Sequence, residues 1–251
     1  MLVPFFWMLL LSMKFQVEIS QANTILPKIW TIQNYIKVFQ TVPVMRWFLN
    51  SAIITGSATF IILFTSSIVG FVFAKYRFRF KNLVFLFILG TMMVSPQVTM
   101  IPSFLLISRL GLYDRLAALI IPGMVGGFGI FLCRQFIEDI PNSLVEAAII
   151  DGAKDFYIYI RIIVPLIRPA IGALAIFTFL QYWNEYMLPL IYLNKIENMT
   201  MSLAIAFFST QRSTDIGAIM AAATMVMLPV AVFFLIFQKQ FIKGIAITGL
   251  K

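Results

Sequence analysis

The sequence has no histidine and a single cysteine, Cys133, in 251 residues. Those two shortages remove imidazole acid–base catalysis, His-ligated haem or zinc, cysteine-cluster metal sites and any internal disulfide. Charge is scarce as well. Only 12% of the residues are charged and 61% are hydrophobic, whereas soluble domains carry roughly 25% charge and roughly 45–50% apolar residues. With a mean hydropathy of +0.95, water cannot be the chain's main solvent, and a cytosolic globular enzyme is excluded. Acids are the rarer sign, 10 against 19 basic residues, for a net charge of +9. In a soluble chain that excess would suit nucleic acid. Here it reads as basic residues holding loops at the cytoplasmic face of a membrane, with lipid and not nucleic acid as the partner.

What the chain has in quantity is uncharged length. Trp47 to Ala74 runs 28 residues without a charge, Asn82 to Ser108 runs 27 and Ile216 to Gln238 runs 23. A helix needs about 20 residues to cross the hydrocarbon core, so each run suffices. Leu116 to Cys133 supplies 18, and Pro169 to Asn184 supplies 16 before Glu185 interrupts and Tyr186 to Asn194 continues. The latter reads as one span with a carboxylate near its outer end. Met1 to Met13 gives 13 uncharged residues, too few alone. Without a basic n-region or a small-residue cleavage site it is not a signal peptide, and it reads as part of a first helix that is short or truncated. The expectation is therefore an all-α polytopic membrane protein of about six transmembrane helices. With no internal repeat or low-complexity linker, residues 1–251 form a single membrane domain.

Lys75, Arg77, Arg79 and Lys81 fall in seven residues without an acid, and Lys239, Lys243 and Lys251 crowd the C-terminus. Both places should be cytoplasmic, which puts the 134–168 loop there too. Pro96 and Pro102 interrupt the third run. They predict either a span ending near Pro96 followed by a short interfacial segment, or a kinked helix. Gly126, Gly127 and Gly129 in the fourth span, and Gly217, Ala218, Ala221 and Ala222 in the last, are small residues that let helices approach closely.

The 134–168 loop carries the most information. From Ile140 it reads IPNSLVEAAIIDGAKDFYIYIRIIVPLIRP. Ser143 to Glu146 fits a capping box, predicting a helix to about Asp151. Gly152 permits a sharp turn, and a second helix from Lys154 to Val164 should stop at Pro165. Ala147, Ala148, Ile150 and Ala153 make an apolar face that needs a cover, with Glu146, Asp151 and Asp155 beside it.

Glu146-Ala147-Ala148, Gly152 after three residues, then Ile162, Val164 and Pro165 resemble the EAA signature of permease subunits of binding-protein-dependent ABC importers. Val164 stands where the family pattern has Leu. Asn50-Ser51, Ile101-Pro102, Gln135-Phe136, Ile140-Pro141, Ile150-Asp151-Gly152-Ala153 and Trp183-Asn184-Glu185 before Pro189-Leu190 also look like the family. The tail from Gln238 to Gly244 and on to Gly249-Leu250-Lys251 is similar to the carbohydrate branch, the maltose-transporter type. The resemblance implies a type I importer permease fold in a bacterial cytoplasmic membrane. It implies a second, different permease that forms a heterodimer with this one, two ATP-binding subunits and an extracytoplasmic solute-binding protein. The chain itself would be non-catalytic and would need no cofactor, since ATP binds to partner subunits. The loop would couple to the ATPase through Glu146, Ala147, Ala148, Asp151, Gly152, Ala153, Ile162 and Pro165. For Glu146, a capping box and a salt bridge to the ATPase both account for the residue.

Two other classes fit less well. A membrane enzyme would need paired acids or metal ligands within the spans, and a secondary transporter commonly has repeated halves and intramembrane ionisable relays. The acid in a span is Glu185. With Asn184 it is a candidate for the substrate pathway, because Trp and Asn suit sugar stacking and hydroxyl hydrogen bonds. A position near the outer interface, with Trp183 in the aromatic belt, accounts for it more simply, because Pro189 and the short preceding span put Glu185 close to the outside.

Overall fold

Every regular element among the described residues is helical. A chain that crosses lipid must pair its backbone groups within the segment, and helices do so. The computed structural model describes residues 3–21, 25–211 and 215–248; Gly249-Leu250-Lys251 of the family-like tail lie outside them. The helices are α1 (Val3–Ser12), α2 (Gln16–Gln21), α3 (Gln33–Thr41), α4 (Val44–Lys75) and α5 (Lys81–Thr91). There follow α6 (Pro96–Arg109), α7 (Ala117–Ile120), α8 (Gly127–Glu138), α9 (Asn142–Ile150) and α10 (Asp155–Ile158). The chain continues through α11 (Val164–Leu166), α12 (Arg168–Asn184), α13 (Met187–Tyr192), α14 (Met201–Gln211) and α15 (Ile216–Thr248).

Among the described residues, two helices are long and apolar enough to cross a bilayer unbroken, α4 and residues Ile216–Leu235 of α15. At 32 residues α4 extends about 48 Å, beyond the hydrocarbon core of about 30 Å. Three further helix pairs are long and apolar enough only when taken together, and each is bent, as a broken span or a re-entrant loop: α5 with α6 at 97°, Ala117–Gly123 with α8 at 43°, and Asp155–Leu166 with α12 at 79°. The third run breaks beside Pro96, as its prolines lead one to expect, with the first helix ending at Thr91. Pro96 opens α6, with Ser95 extended at φ −64°, ψ 133°, because a residue before proline is driven out of the helical region. In the fourth run Gly126 is extended (φ −102°, ψ 114°) and caps α8. The Met124 carbonyl freed at that break accepts the Thr65 hydroxyl at 2.8 Å.

The described residues fall into two compact units. One comprises residues 1–54, 113–116 and 183–235. Its core joins Val38, Trp47, Met201 and Phe208 to Ala218, Ala221 and Ala222. The three alanines are fully buried, so the small-residue face of α15 serves internal packing. Buried Asn34 donates to the carbonyls of Ser12 and Lys14 at 2.9 and 2.8 Å, and closes the turn from α1.

The other unit comprises residues 55–112, 117–182 and 236–251. Its core joins Phe71, Cys133, Ile137, Ile158, Ile163, Ile167 and Leu174. Gly70 lets α4 touch α8: a Cβ there would lie 2.8 Å from the Cβ of Cys133. A Cβ on Gly129 would lie 2.9 Å from the Cβ of Ser66 and 3.0 Å from Leu174. These contacts are closer than real carbons approach, so glycine is required at both positions.

Candidate functional site

The loop after α8 folds into an ordered two-legged arm. Its first leg, α9, starts two residues earlier than the sequence suggests. Pro141, at φ −56° and ψ 134°, takes the N-cap place and no side chain caps the helix. The Ser143–Glu146 capping box therefore does not form, because Ser143 already lies inside the helix. Glu146 is exposed and has no ion pair or hydrogen bond from its carboxylate among the described residues.

The bend falls on Gly152, at φ +80°. The N–H of Gly152 donates to the Ile149 carbonyl and that of Ala153 to the Ala148 carbonyl, both at 2.9 Å. This is the Schellman closure of a helix, in which a left-handed residue turns the chain back on its own last carbonyls. Expectation and structure agree on the turn and differ on the second leg. Pro165 does not stop it. α10 passes through a π turn, Tyr159–Ile163, into α11 and continues to Leu166. Proline has no N–H to give the carbonyl four residues back, and the wider π turn precedes it where that ladder is interrupted.

Three contacts fasten the arm to α4 and the residue after it. The Lys75 ammonium donates to the Ile140 carbonyl and, at 2.9 Å, to Asn142 Oδ1. The Tyr159 and Ser67 hydroxyls pair at 2.7 Å in the interior. Tyr76 stands beside Asp155, and burial followed by that carboxylate pushes the Tyr76 hydroxyl up to about 12. The arm's residues then divide by face. Val145 and Ala148 are buried in the unit's own core, and Ala153 and Ile162 pack against it. Glu146, Ala147, Asp151 and Gly152 face outward, with Ile150 85% exposed and Phe156 and Tyr157 beside it. Ala148 is thus not part of an outer face: with Val145, three residues before it on the same side of the helix, it packs in the core. Pro165 is half-buried.

In the other unit the chain breaks between α12 and α13. Glu185 Oε1 accepts the N–H groups of Met187 and Leu188 at 3.0 and 3.2 Å, so this carboxylate caps α13. Asn184 instead lines an open cleft of about 400 Å³ with Tyr186, Ser202, Ile205, Ala206, Ser209 and Val226. The structure separates two neighbours that the sequence offered together. Ser202 and Ser209 were missed, although their spacing of seven residues with Ile205 and Ala206 between places them on one helix face. Trp183 is also not in an interfacial belt. It is 3% exposed, and its indole N–H donates to the Val226 carbonyl at 2.9 Å, near Pro229 inside α15.

A second missed group is Asp114, at φ +59°. Its Oδ1 accepts the N–H groups of Asn194 and Lys195 at 2.9 and 3.0 Å, and its carbonyl accepts Asn198 Nδ2 at 2.8 Å. Burial alone would raise its pKa, but these donors and the Lys195 charge hold the carboxyl below its usual value. The same loop is held from α4. The Trp47 indole donates to Ile196, and Asn50 Nδ2 donates to the carbonyls of Glu197 and Met199, both at 2.9 Å. Among the described residues, no group of three or more Cys, Asp or Glu is placed to hold a metal.

Comparison with known proteins gives a consistent result. Residues 66–247 match the model of the "binding-protein-dependent transport system inner membrane component" family. The arabinooligosaccharides transport system permease protein AraQ of Bacillus subtilis is 34% identical over 100% of this chain and 90% of its own length. The lactose transport system permease protein LacG of Rhizobium radiobacter is 30% identical over 96% of this chain and 88% of its own. A chain from a bacterial ABC transporter involved in import of the acidic polysaccharide alginate superposes with a TM-score of 0.86. It is 22% identical and covers 95% of this chain and 90% of that one, which shows the same fold.

Proposed function

Because the chain belongs to the binding-protein-dependent transport system inner membrane component family, we propose that residues 1–251 act as one permease subunit of an ABC importer for a carbohydrate. A second permease completes the pathway, two ATP-binding subunits dock on the cytoplasmic side, and an extracytoplasmic binding protein delivers the solute. The carbohydrate class is supported by relatives named for arabinooligosaccharides and lactose.

The arm of α9 to α11 is the coupling element in this reading. The observation that carries it is Glu146: an exposed carboxylate without a partner, on an arm pinned to the long helix α4 through Lys75, Tyr159 and Tyr76. Closure of the ATPase subunits would move the arm as a body. Its anchors would pass that displacement to α4 and shift the population of inward and outward states. Glu146, Ala147, Ile150 and Asp151 make the docking face. Gly152 sets the angle, while Ala148, Ala153, Ile162 and Pro165 keep the legs in place from inside. The C-terminus lies on the same, cytoplasmic side. In the cleft beside α13, the Asn184 amide and the hydroxyls of Tyr186, Ser202 and Ser209 suit a polyhydroxylated solute.

The test is reconstitution. Purified alone in proteoliposomes, the chain shows neither ATP hydrolysis nor uptake. With its partner permease, ATPase subunits and binding protein it shows uptake that requires ATP. Uptake by the single chain would overturn the proposal.

A further inference from the structure

We propose that the turn between α4 and α5 is a headgroup site for an anionic phospholipid. Lys75, Arg77, Arg79 and Lys81 fall in this turn without an acid among them. Phe80, at φ +64°, reverses the chain so that Arg77, Phe78, Phe80, Lys81, Asn82 and Leu83 line a cleft of about 320 Å³.

Several features of the cleft favour an anion. Phe80 holds the N-cap position of α5 and provides no side-chain acceptor, so the first-turn amides and the helix dipole add to the positive potential of the side chains. Lys81 gives one bond to the Tyr76 carbonyl at 3.1 Å, and an ammonium has three donors. The nearby acid Glu138 is already paired with Arg134 at 2.8 Å, and the Arg134 guanidinium lies over the Phe85 ring at 3.8 Å. Lys75 is engaged with the arm. Arg77 and Lys81 therefore remain the cations that line the cleft, with Arg79 between them in the turn.

The surroundings favour lipid over an acidic protein or a free phosphate. Phe78 and Phe80 are exposed, and the Arg79 guanidinium stacks on the Phe80 ring at 4.9 Å. From the cleft the exposed apolar surface continues along α5 through Leu83, Leu86 and Phe87. A phosphodiester at the cations would thus have acyl chains running along this exposed apolar stripe. Neither inorganic phosphate nor a folded acidic surface matches that continuity of charge and apolar stripe. The inference needs the chain to cross a bilayer, and does not depend on which solute it carries.

The experiment is native mass spectrometry of the purified full chain in mild detergent, titrated with palmitoyl-oleoyl phosphatidylglycerol or phosphatidylcholine. A bound phosphatidylglycerol is expected at about tenfold lower concentration than phosphatidylcholine, and 10 mM inorganic phosphate, a probe concentration of about that order, should not displace it. Arg77→Gln, which leaves three basic residues to hold topology, should weaken retention about fivefold. Arg77→Gln with Lys81→Gln should remove the preference, and Arg77→Lys should largely keep it. Equal retention of both lipids by the parent chain, displacement by phosphate, or an unchanged preference in the double variant would each overturn the proposal. So would a double variant that keeps phosphatidylglycerol but no longer captures the ATPase subunits, which would make the turn a protein contact. The parent titration decides the matter even where the double variant fails to insert.

Discussion

Tyr159 of the π turn and Ser67 of α4 meet hydroxyl to hydroxyl at 2.7 Å in the interior. Their separation in sequence makes this bond a tie between the arm and a membrane-crossing helix. Ser67 also donates to the Leu63 carbonyl at 2.7 Å, so its oxygen keeps a partner when Tyr159 is altered. Tyr159→Phe should accordingly destabilise by about 1 kcal/mol, read as a lower thermal midpoint of the purified chain. In the assembled complex the same variant should hydrolyse more ATP per molecule transported.

The arm's bend allows a sharper test. No atom would obstruct a Cβ on Gly152, but its φ is +80°, so a substitution is penalised through the backbone alone. Gly152→Ala should cost about 1 kcal/mol and Gly152→Asn less, because Asn tolerates the left-handed region. Gly152→Val should abolish substrate-stimulated ATP hydrolysis and uptake while the protein still inserts. Uptake within about twofold of the parent, roughly 0.4 kcal/mol, would remove the arm from the coupling role.

Neighbouring alanines should behave in opposite ways. Ala148 is 8% exposed and packed in the core, so Ala148→Leu overpacks it and should cost about 1–3 kcal/mol. Ala147 is exposed, so Ala147→Leu should leave the thermal midpoint unchanged and weaken capture of the ATPase subunits. Glu146→Gln should follow Ala147. A pull-down paired with a thermal melt separates the two patterns.

At Asp114 the expectation concerns acid. The folded-state pKa of Asp114 is depressed, so its contribution is present above the unfolded value of about 3.9 and is lost as pH falls through the lower folded value. Lys195–Met199 should become accessible to proteases below about pH 4. Asp114→Asn should expose the same segment already at neutral pH and flatten the acid dependence.

Asn184 and Glu185 should separate as well. Glu185→Ala removes the cap of α13 and should cost about 1 kcal/mol, with a lower thermal midpoint. Asn184→Ala should leave the midpoint nearly unchanged and raise the KM for uptake, with ATP hydrolysis in the absence of substrate unaffected. Identical behaviour of the two variants would remove the cleft from the pathway.

Composition and the lengths of uncharged chain were enough to establish a helical membrane protein, because the cost of unpaired backbone in lipid leaves few alternatives. The turn at Gly152 was legible for a similar reason: a left-handed backbone tolerates little besides glycine. Where each apolar run breaks was not legible. Hydropathy averages over a window and cannot say that Gly126 lies extended, or that Glu185 spends its carboxylate on two amides of the next helix. Nor could periodicity decide which side of α9 faces the core, since Val145, Ala147, Ala148 and Ile150 are all apolar. Packing against Phe71, Ile137 and Ile163 decided it, turning Val145 and Ala148 inward and leaving Ala147 and Ile150 outside. The grip of Asp114 on residues eighty positions away is of the same kind. Its donors are backbone amides, which every residue but proline carries, so only the folded chain reveals which of them it meets.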